Sequence, residues 1–221
     1  MTHTLTEQPP ESAEYAGLLF NSFKSSYEIQ DDIWSDEPAM RLVVPALLDH
    51  LHADSHVLDV GAGRGRDSQT LLEAGHRVTA IDLVVTPEWQ SIERDAKGRA
   101  TFIEGDLSSA VLPGRYDAVL DNGCLHHQHP DAYAAYLRRL WDHAVERAWL
   151  AVSFFTPAPA LGVLKGRLWV KHDGRLTRDF TTDEACALLE STGWGVERAL
   201  AIPRTSDAHH YLLVIARRKG A

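Results

Sequence analysis

The stretch VLDVGAGRGRDSQTLLEAGHRVTAIDL, residues 57–83, reads as strand, glycine turn, helix and strand. Val57, Leu58 and Val60 form the short apolar run expected of a parallel strand buried on both faces. In Gly61-Ala62-Gly63-Arg64-Gly65 the glycines tolerate positive φ and let a ligand lie against bare backbone. The spacing predicts a helix over 68–74, with Leu71 and Leu72 turned to the core and Gly75 as its stop. Val78, Ala80 and Ile81 then make a second strand, with Asp82 at its carboxyl end. This is one βαβ half of a doubly wound sheet, and its ligand crevice lies where the strands end and the helix begins.

Two ligand classes use such a crevice, and the residues separate them. A dinucleotide fingerprint needs G-x-G-x-x-G; here the third glycine, Gly65, comes one residue early and Arg66 stands in its place. Asp59, inside the first strand, would repel a pyrophosphate and hold an ammonium group. S-adenosylmethionine (SAM) carries an ammonium and a sulfonium and no phosphate. Asp82 would accept hydrogen bonds from ribose hydroxyls of either ligand, so it does not discriminate.

DVGAGRG at 59–65 followed by AIDL at 80–83 resembles the first two motifs of class I SAM-dependent methyltransferases, and the resemblance extends over 34–221. IWSDEP at 33–38 and YDAVLDNGCLHH at 116–127 are similar to the small-molecule branch that includes thiopurine and tellurite methyltransferases. The resemblance implies an α/β, Rossmann-like sheet of seven strands with helices on both faces and an N-terminal helical lid. It also implies SAM as methyl donor, S-adenosylhomocysteine as product, and a small-molecule acceptor. Carried over by position, the donor contacts are Asp59, Gly61, Ala62, Gly63, Gly65, Asp82 with Leu83, Asp106 with Leu107, and the backbone of Asp121 and Asn122; Arg66 and Asp67 adjoin them. Asp106 would accept from the adenine amino group. Cys124, His126 and His127 fall near the methyl group, and the acceptor is expected among Tyr27, Trp34, Cys124, His126 and Phe155. One departure is the connection WDHAVERAW, where the family usually has a Pro-Gly-Gly turn.

Around this centre the chain divides into an N-terminus expected to be disordered over 1–11 and one methyltransferase domain over 12–221. Residues 12–54 would supply the N-terminal helices, and 155–180 a substrate-side insert. Tyr15, Leu18, Leu19, Phe23 and Tyr27 recur at helical spacing to about residue 30. A second helix is expected from Pro38, with a stripe running from Met40 to Leu51. Further helices are read at 88–97 and 130–143, and strands at 100–104, 116–120 and 147–154. In the insert, LWVKHDGRLTRDF alternates about Asp173-Gly174, a hairpin-turn dipeptide. Its Lys165, Arg167, Lys171, Arg175 and Arg178 are locally basic, either as a solvated hairpin or as a cap that attracts an anionic group. Thr181 or Thr182 would cap a last helix, before two closing strands at 194–202 and 210–216.

The whole-chain totals exclude some classes. A formal net charge of −9 argues against non-specific nucleic-acid binding. Two distant cysteines give no metal spacing and no disulfide framework, which fits a reducing cytoplasm. The polar, acidic start MTHTLTEQPPESAEY is not expected to act as a signal peptide, and no apolar run of membrane-spanning length is seen in the sequence. His126, His127 and His129 match no defined metal site, so no metal is expected.

Methyl transfer from a sulfonium needs alignment and exclusion of water, and a base only where the nucleophile must lose a proton. His126, with His127 beside it, is the candidate base or acceptor-orienting group. The alternatives are an NAD-dependent oxidoreductase, a non-catalytic SAM-binding protein, or an enzyme acting on macromolecules.

Overall fold

The computed structural model describes residues 12–162, 165–204 and 209–220. The disorder expected over 1–11 and the loop tip at 205–208 lie outside the described residues. Strands β1 (His56–Val60), β2 (Arg77–Asp82), β3 (Ala100–Glu104), β4 (Tyr116–Asn122) and β5 (Ala144–Pro157) run parallel. A hairpin of β6 (Leu168–Val170) and β7 (Leu176–Arg178) follows as a separate sheet. Strands β8 (Trp194–Ile202) and β9 (His209–Arg218) then close the main sheet antiparallel, giving seven strands in the order β3-β2-β1-β4-β5-β9-β8. The order reverses between β1 and β4, paired through Val57–Ala118 and Val60–Asp121. The crevice of a doubly wound sheet opens at that reversal.

Alternation along the strands feeds two cores. Leu58, Val60, Val119, Leu150 and Val152 face α5 (Tyr133–His143) and α6 (Thr182–Ser191). Val57, Ala80, Ala118, Leu120 and Ala151 face α2 (Val43–Leu48) and α3 (Arg66–Glu73). Two further helices complete the set, α1 (Ser12–Glu28) and α4 (Glu88–Ala96). The Thr181 cap is confirmed as a capping box, its hydroxyl accepting from Glu184 N while Glu184 accepts from Thr181 N.

The sequence reading misplaced several boundaries. The expected helix from Pro38 to Leu51 is a 3-10 turn at Pro38–Leu42 followed by the six residues of α2; Pro45, lacking an N–H, sits inside this short helix. Helix α3 begins at Arg66, not residue 68, because Gly65 in the left-handed region (φ 77°) turns the chain straight into it. Residues 130–132 form a 3-10 turn ahead of α5. Strand β5 is longer at both ends than 147–154: a bulge with Arg147 at φ 63° absorbs the missing glycine turn, and pairing with β9 continues to Pro157–His209.

Candidate active site

A cavity of about 1120 Å³ opens at the carboxyl ends of β1 to β5 beneath α1. That exceeds the roughly 300–1,000 Å³ of a typical small-ligand pocket, so two ligands fit side by side. Gly61, Asp82, Leu83, Asp106, Leu107 and Asn122 line it at the strand ends. Phe23, Trp34, His126, Phe155, Arg175 and Tyr211 line it towards α1 and the hairpin.

The glycine turn is fixed from both sides. Gly63 N donates to Asp82 Oδ2 at 2.8 Å, and Gly63 O accepts from Trp89 Nε1 at 2.7 Å. Gly63 has φ 54°, and a Cβ there would stand 2.8 Å from the Tyr27 hydroxyl, so only glycine lets α1 approach this closely. Asp82 also accepts from Val84 N at 3.0 Å, while burial pushes its carboxyl above the usual range. Its remaining lone pairs face the cavity rim and suit vicinal hydroxyls. Asp106 lines the same end, where its Oδ1 accepts from Ser108 N at 2.7 Å in a local turn. These groups fit a nucleoside bearing no phosphate.

Other sequence candidates support the rim without lining it. Asp59 is 2% exposed and accepts from Ser68 Oγ at 2.5 Å at the start of α3. Asp67 accepts from Asn122 Nδ2 at 2.6 Å and from Arg66 Nε at 2.9 Å, while Arg66 Nη1 donates to Ser35 O. Asp121 is fully buried and accepts from Tyr136 Oη (2.7 Å), Cys124 N (2.7 Å) and Leu125 N (3.2 Å); burial pushes it up to about 6. It shapes the turn that carries Asn122 to Cys124. The Cys124 thiol is held neutral by burial and by Asp121, which suits a cavity wall better than a nucleophile.

Asp59 gives a pH test. Burial first, then the neighbouring Asp67, raises its folded pKa. A raised carboxyl favours the native state while protonated, and that contribution is lost as pH rises from the ordinary carboxylate range through the folded pKa. Asp59→Asn should therefore stabilise the chain at pH 8 and make little difference near pH 4, read by urea melts at both pH values. Equal effects at the two would remove the charge argument.

The wall towards α1 and the hairpin is a run of rings in contact. Phe155 lies 4.2 Å from His126 and 5.2 Å from Tyr211, and His127 lies 4.3 Å from His126 and 5.5 Å from Phe23. Trp34 meets Phe23 and Tyr27 edge-on. Burial pushes His126 down to about 3 and His127 well below its usual range, so both rings are neutral at physiological pH. His127 Nδ1 pairs with Leu176 O at 3.0 Å, whereas His126 Nδ1 is buried with no partner. Sequence reasoning missed Tyr211, which falls within a closing strand, and took Phe23 only as part of the helical stripe; nothing local turned either towards a cavity. Among the described residues no three His, Cys, Asp or Glu side chains gather as a metal would require.

The fold is shared with a solved structure, the Burkholderia thailandensis 1,6-didemethyltoxoflavin-N1-methyltransferase with bound 1,6-didemethyltoxoflavin and S-adenosylhomocysteine. The two chains are 40% identical with a TM-score of 0.91, over 97% of this chain and 94% of that one. The chain belongs to the SAM-dependent methyltransferases. The methyltransferase-domain family matches residues 57–146, and no curated protein sequence matches the chain. The N-methyltransferase NodS from Bradyrhizobium japonicum shares the fold at 14% identity, TM-score 0.69, over 91% of this chain and 98% of that one. A TehB-like methyltransferase from Corynebacterium glutamicum does so at 16%, TM-score 0.59, over 90% and 99%. This methyltransferase uses SAM on a small-molecule acceptor, which sets aside the nicotinamide reading in line with Arg66; Asp59, turned to Ser68, does not itself face the ligand. Among the described residues no helix is long and apolar enough to cross a membrane.

Proposed function

We propose that this methyltransferase acts on a flat, nitrogen-containing heterocycle held against the ring wall, in one domain spanning residues 12–221. The cluster of Phe155, His126, His127, Phe23 and Trp34 carries the reading: its tilted and edge-on rings line the cavity between the ends of β4 and β5 and helix α1, and offer a flat acceptor aromatic contacts. The related 1,6-didemethyltoxoflavin-N1-methyltransferase, whose name makes N1 the methylated atom, supports a ring nitrogen as the nucleophile. SAM supplies a methyl group on an activated sulfonium. On this reading Asp82 holds its ribose, Asp106 its adenine amino group, and the backbone from Gly61 to Gly65 and at Asp121 and Asn122 its methionine part. Asp59, Asp67 and Arg66 hold that backbone in shape. Helix α1 covers the site, because Tyr27 rests over Gly63 and Arg64 pairs with Asp32 at 2.6 Å.

His126 and His127 orient the acceptor instead of taking its proton, since burial leaves both poor bases. His126→Phe, which keeps the ring face, should raise the acceptor KM about tenfold or more, consistent with loss of one hydrogen bond to a buried group, with no limb lost from the pH–rate profile. A limb near the ordinary histidine pKa that disappears in this variant would restore the general-base role. The activity itself is tested by incubating the full chain with SAM and 1,6-didemethyltoxoflavin and following methylated product by mass spectrometry. Turnover of that compound, or of another ring N–H heterocycle, is expected; turnover confined to hydroxyl or thiol acceptors would overturn the acceptor class.

A further inference from the structure

We propose that Arg175 is the counter-ion for an acceptor bound as an anion, a flat heterocycle that has already given a ring N–H or enol proton to water. The proposal rests on the methyltransferase reading and deepens it. Arg175 follows the Asp173-Gly174 turn of the hairpin and is 4% exposed. Its guanidinium lies 4.5 Å over the Phe23 ring and 5.6 Å from that of Trp34, on the cavity wall. It makes no ion pair among the described residues, and its Nε and Nη1 are buried with no hydrogen-bond partner. A buried donor without a partner is costly, and a charged one more so. Fixed by two aromatic faces in a cavity with room for two ligands, this cation lacks a partner that a ligand can bring.

The charged groups around it are mixed in sign, and none of them hydrogen-bonds its Nε or Nη1. On the hairpin, Asp173 is ionised, the Ser22 hydrogen bond at 2.6 Å and Arg175 holding it below the usual carboxylate range against its burial; it accepts from Arg175 N and offsets the guanidinium charge in part without pairing with its Nε or Nη1. Lys171 is pushed down to about 8 by burial and by Arg175, and so is charged below that pH. From α1, burial keeps Tyr15 and Tyr27 neutral, while Glu14 and, just beyond the helix, Asp31 are exposed acids on the cavity. From the turn after β4, His126 and His127 are neutral. Arg204, also on the wall, is satisfied by Glu37 at 3.0 Å. The other two arginines of the basic insert are engaged, Arg167 with Asp179 and Arg178 with Glu184. An acceptor that arrives deprotonated needs no base, which matches a wall whose histidines do not take protons.

The test uses the full chain preloaded with S-adenosylhomocysteine and two fluorescent probes, lumazine, which ionises at a ring N–H, and 1,3-dimethyllumazine, which cannot. Lumazine should bind about tenfold or more tightly as it ionises, and the dimethyl compound weakly and without that trend. Arg175→Met should remove the gain and Arg175→Lys keep part of it, both leaving S-adenosylhomocysteine affinity unchanged. Should Arg175→Met fail to fold, the lysine variant and the probe pair still decide. The proposal is overturned if the wild-type chain binds no lumazine, binds both ionisation states equally, or keeps its preference in Arg175→Met. S-adenosylhomocysteine binding, followed in the same titration, reports separately on the methyltransferase site.

Discussion

Asp82→Ala is expected to weaken S-adenosylhomocysteine binding about a hundredfold or more, the equivalent of about 2.7 kcal/mol. The carboxylate has two tasks at once. It accepts from Gly63 N at 2.8 Å and Val84 N at 3.0 Å, fixing the glycine turn against the end of β2. It also lines the cavity where a ribose would present its hydroxyls. Hydrogen bonds to a charged acceptor contribute about 1.5–3 kcal/mol each, so loss of ligand bonds alone accounts for the fall, and a loosened turn adds to it. Asp82→Asn keeps one carbonyl oxygen and should lie between. Calorimetric titration reads both variants; wild-type affinity in Asp82→Ala would remove this residue from the donor site.

Asp121→Ala should cost about 3–5 kcal/mol of folding stability, a large part of the 5–15 kcal/mol a domain of ordinary size holds in reserve. The substitution strands the Tyr136 hydroxyl and the Cys124 and Leu125 amides, three donors that all end on one fully buried carboxylate. Each buried donor left unpaired costs about 1–3 kcal/mol; release of a buried charge, already pushed up to about 6, offsets part of the total. Asp121→Asn retains an acceptor but turns an amide N–H₂ towards donors, so it should recover only some of the loss. Urea unfolding measures the difference. A loss under about 1 kcal/mol, the worth of one ordinary hydrogen bond, would mean the turn is held by other contacts.

The βαβ centre was legible because its signals are local: apolar runs of strand length, glycines where the chain must turn, and an acid at a strand end. The same signals led to Asp82 and Asp106 on the cavity wall. They did not reveal that Asp59 turns away to Ser68, nor that Asp67 serves Asn122 across 55 residues of sequence. Asp121 was read for its backbone; its side chain bonds Tyr136, a residue with no distinguishing mark on α5. The basic insert was visible as composition, but five cations looked alike. Only the folding of the hairpin beneath α1 decides that Arg167 and Arg178 find carboxylates while Arg175 meets Phe23 and Trp34. Where a boundary moved, as in β5, the cause was a distant partner strand or a bulge that no nearest-neighbour rule encodes.

Helix α1 is bound to the hairpin as closely as to the glycine turn. The Tyr15 hydroxyl donates to His127 O at 2.6 Å and accepts from Leu176 N at 3.0 Å; Ser22 Oγ reaches Asp173; and Leu18 fills the space above Gly174. The first helix of the chain and a hairpin some 150 residues later thus form one inherited unit. Acceptor preference cannot be transplanted between relatives by swapping either piece alone: a hairpin grafted without its own α1 would arrive with no tyrosine for its opening amide and no side chain to close its turn.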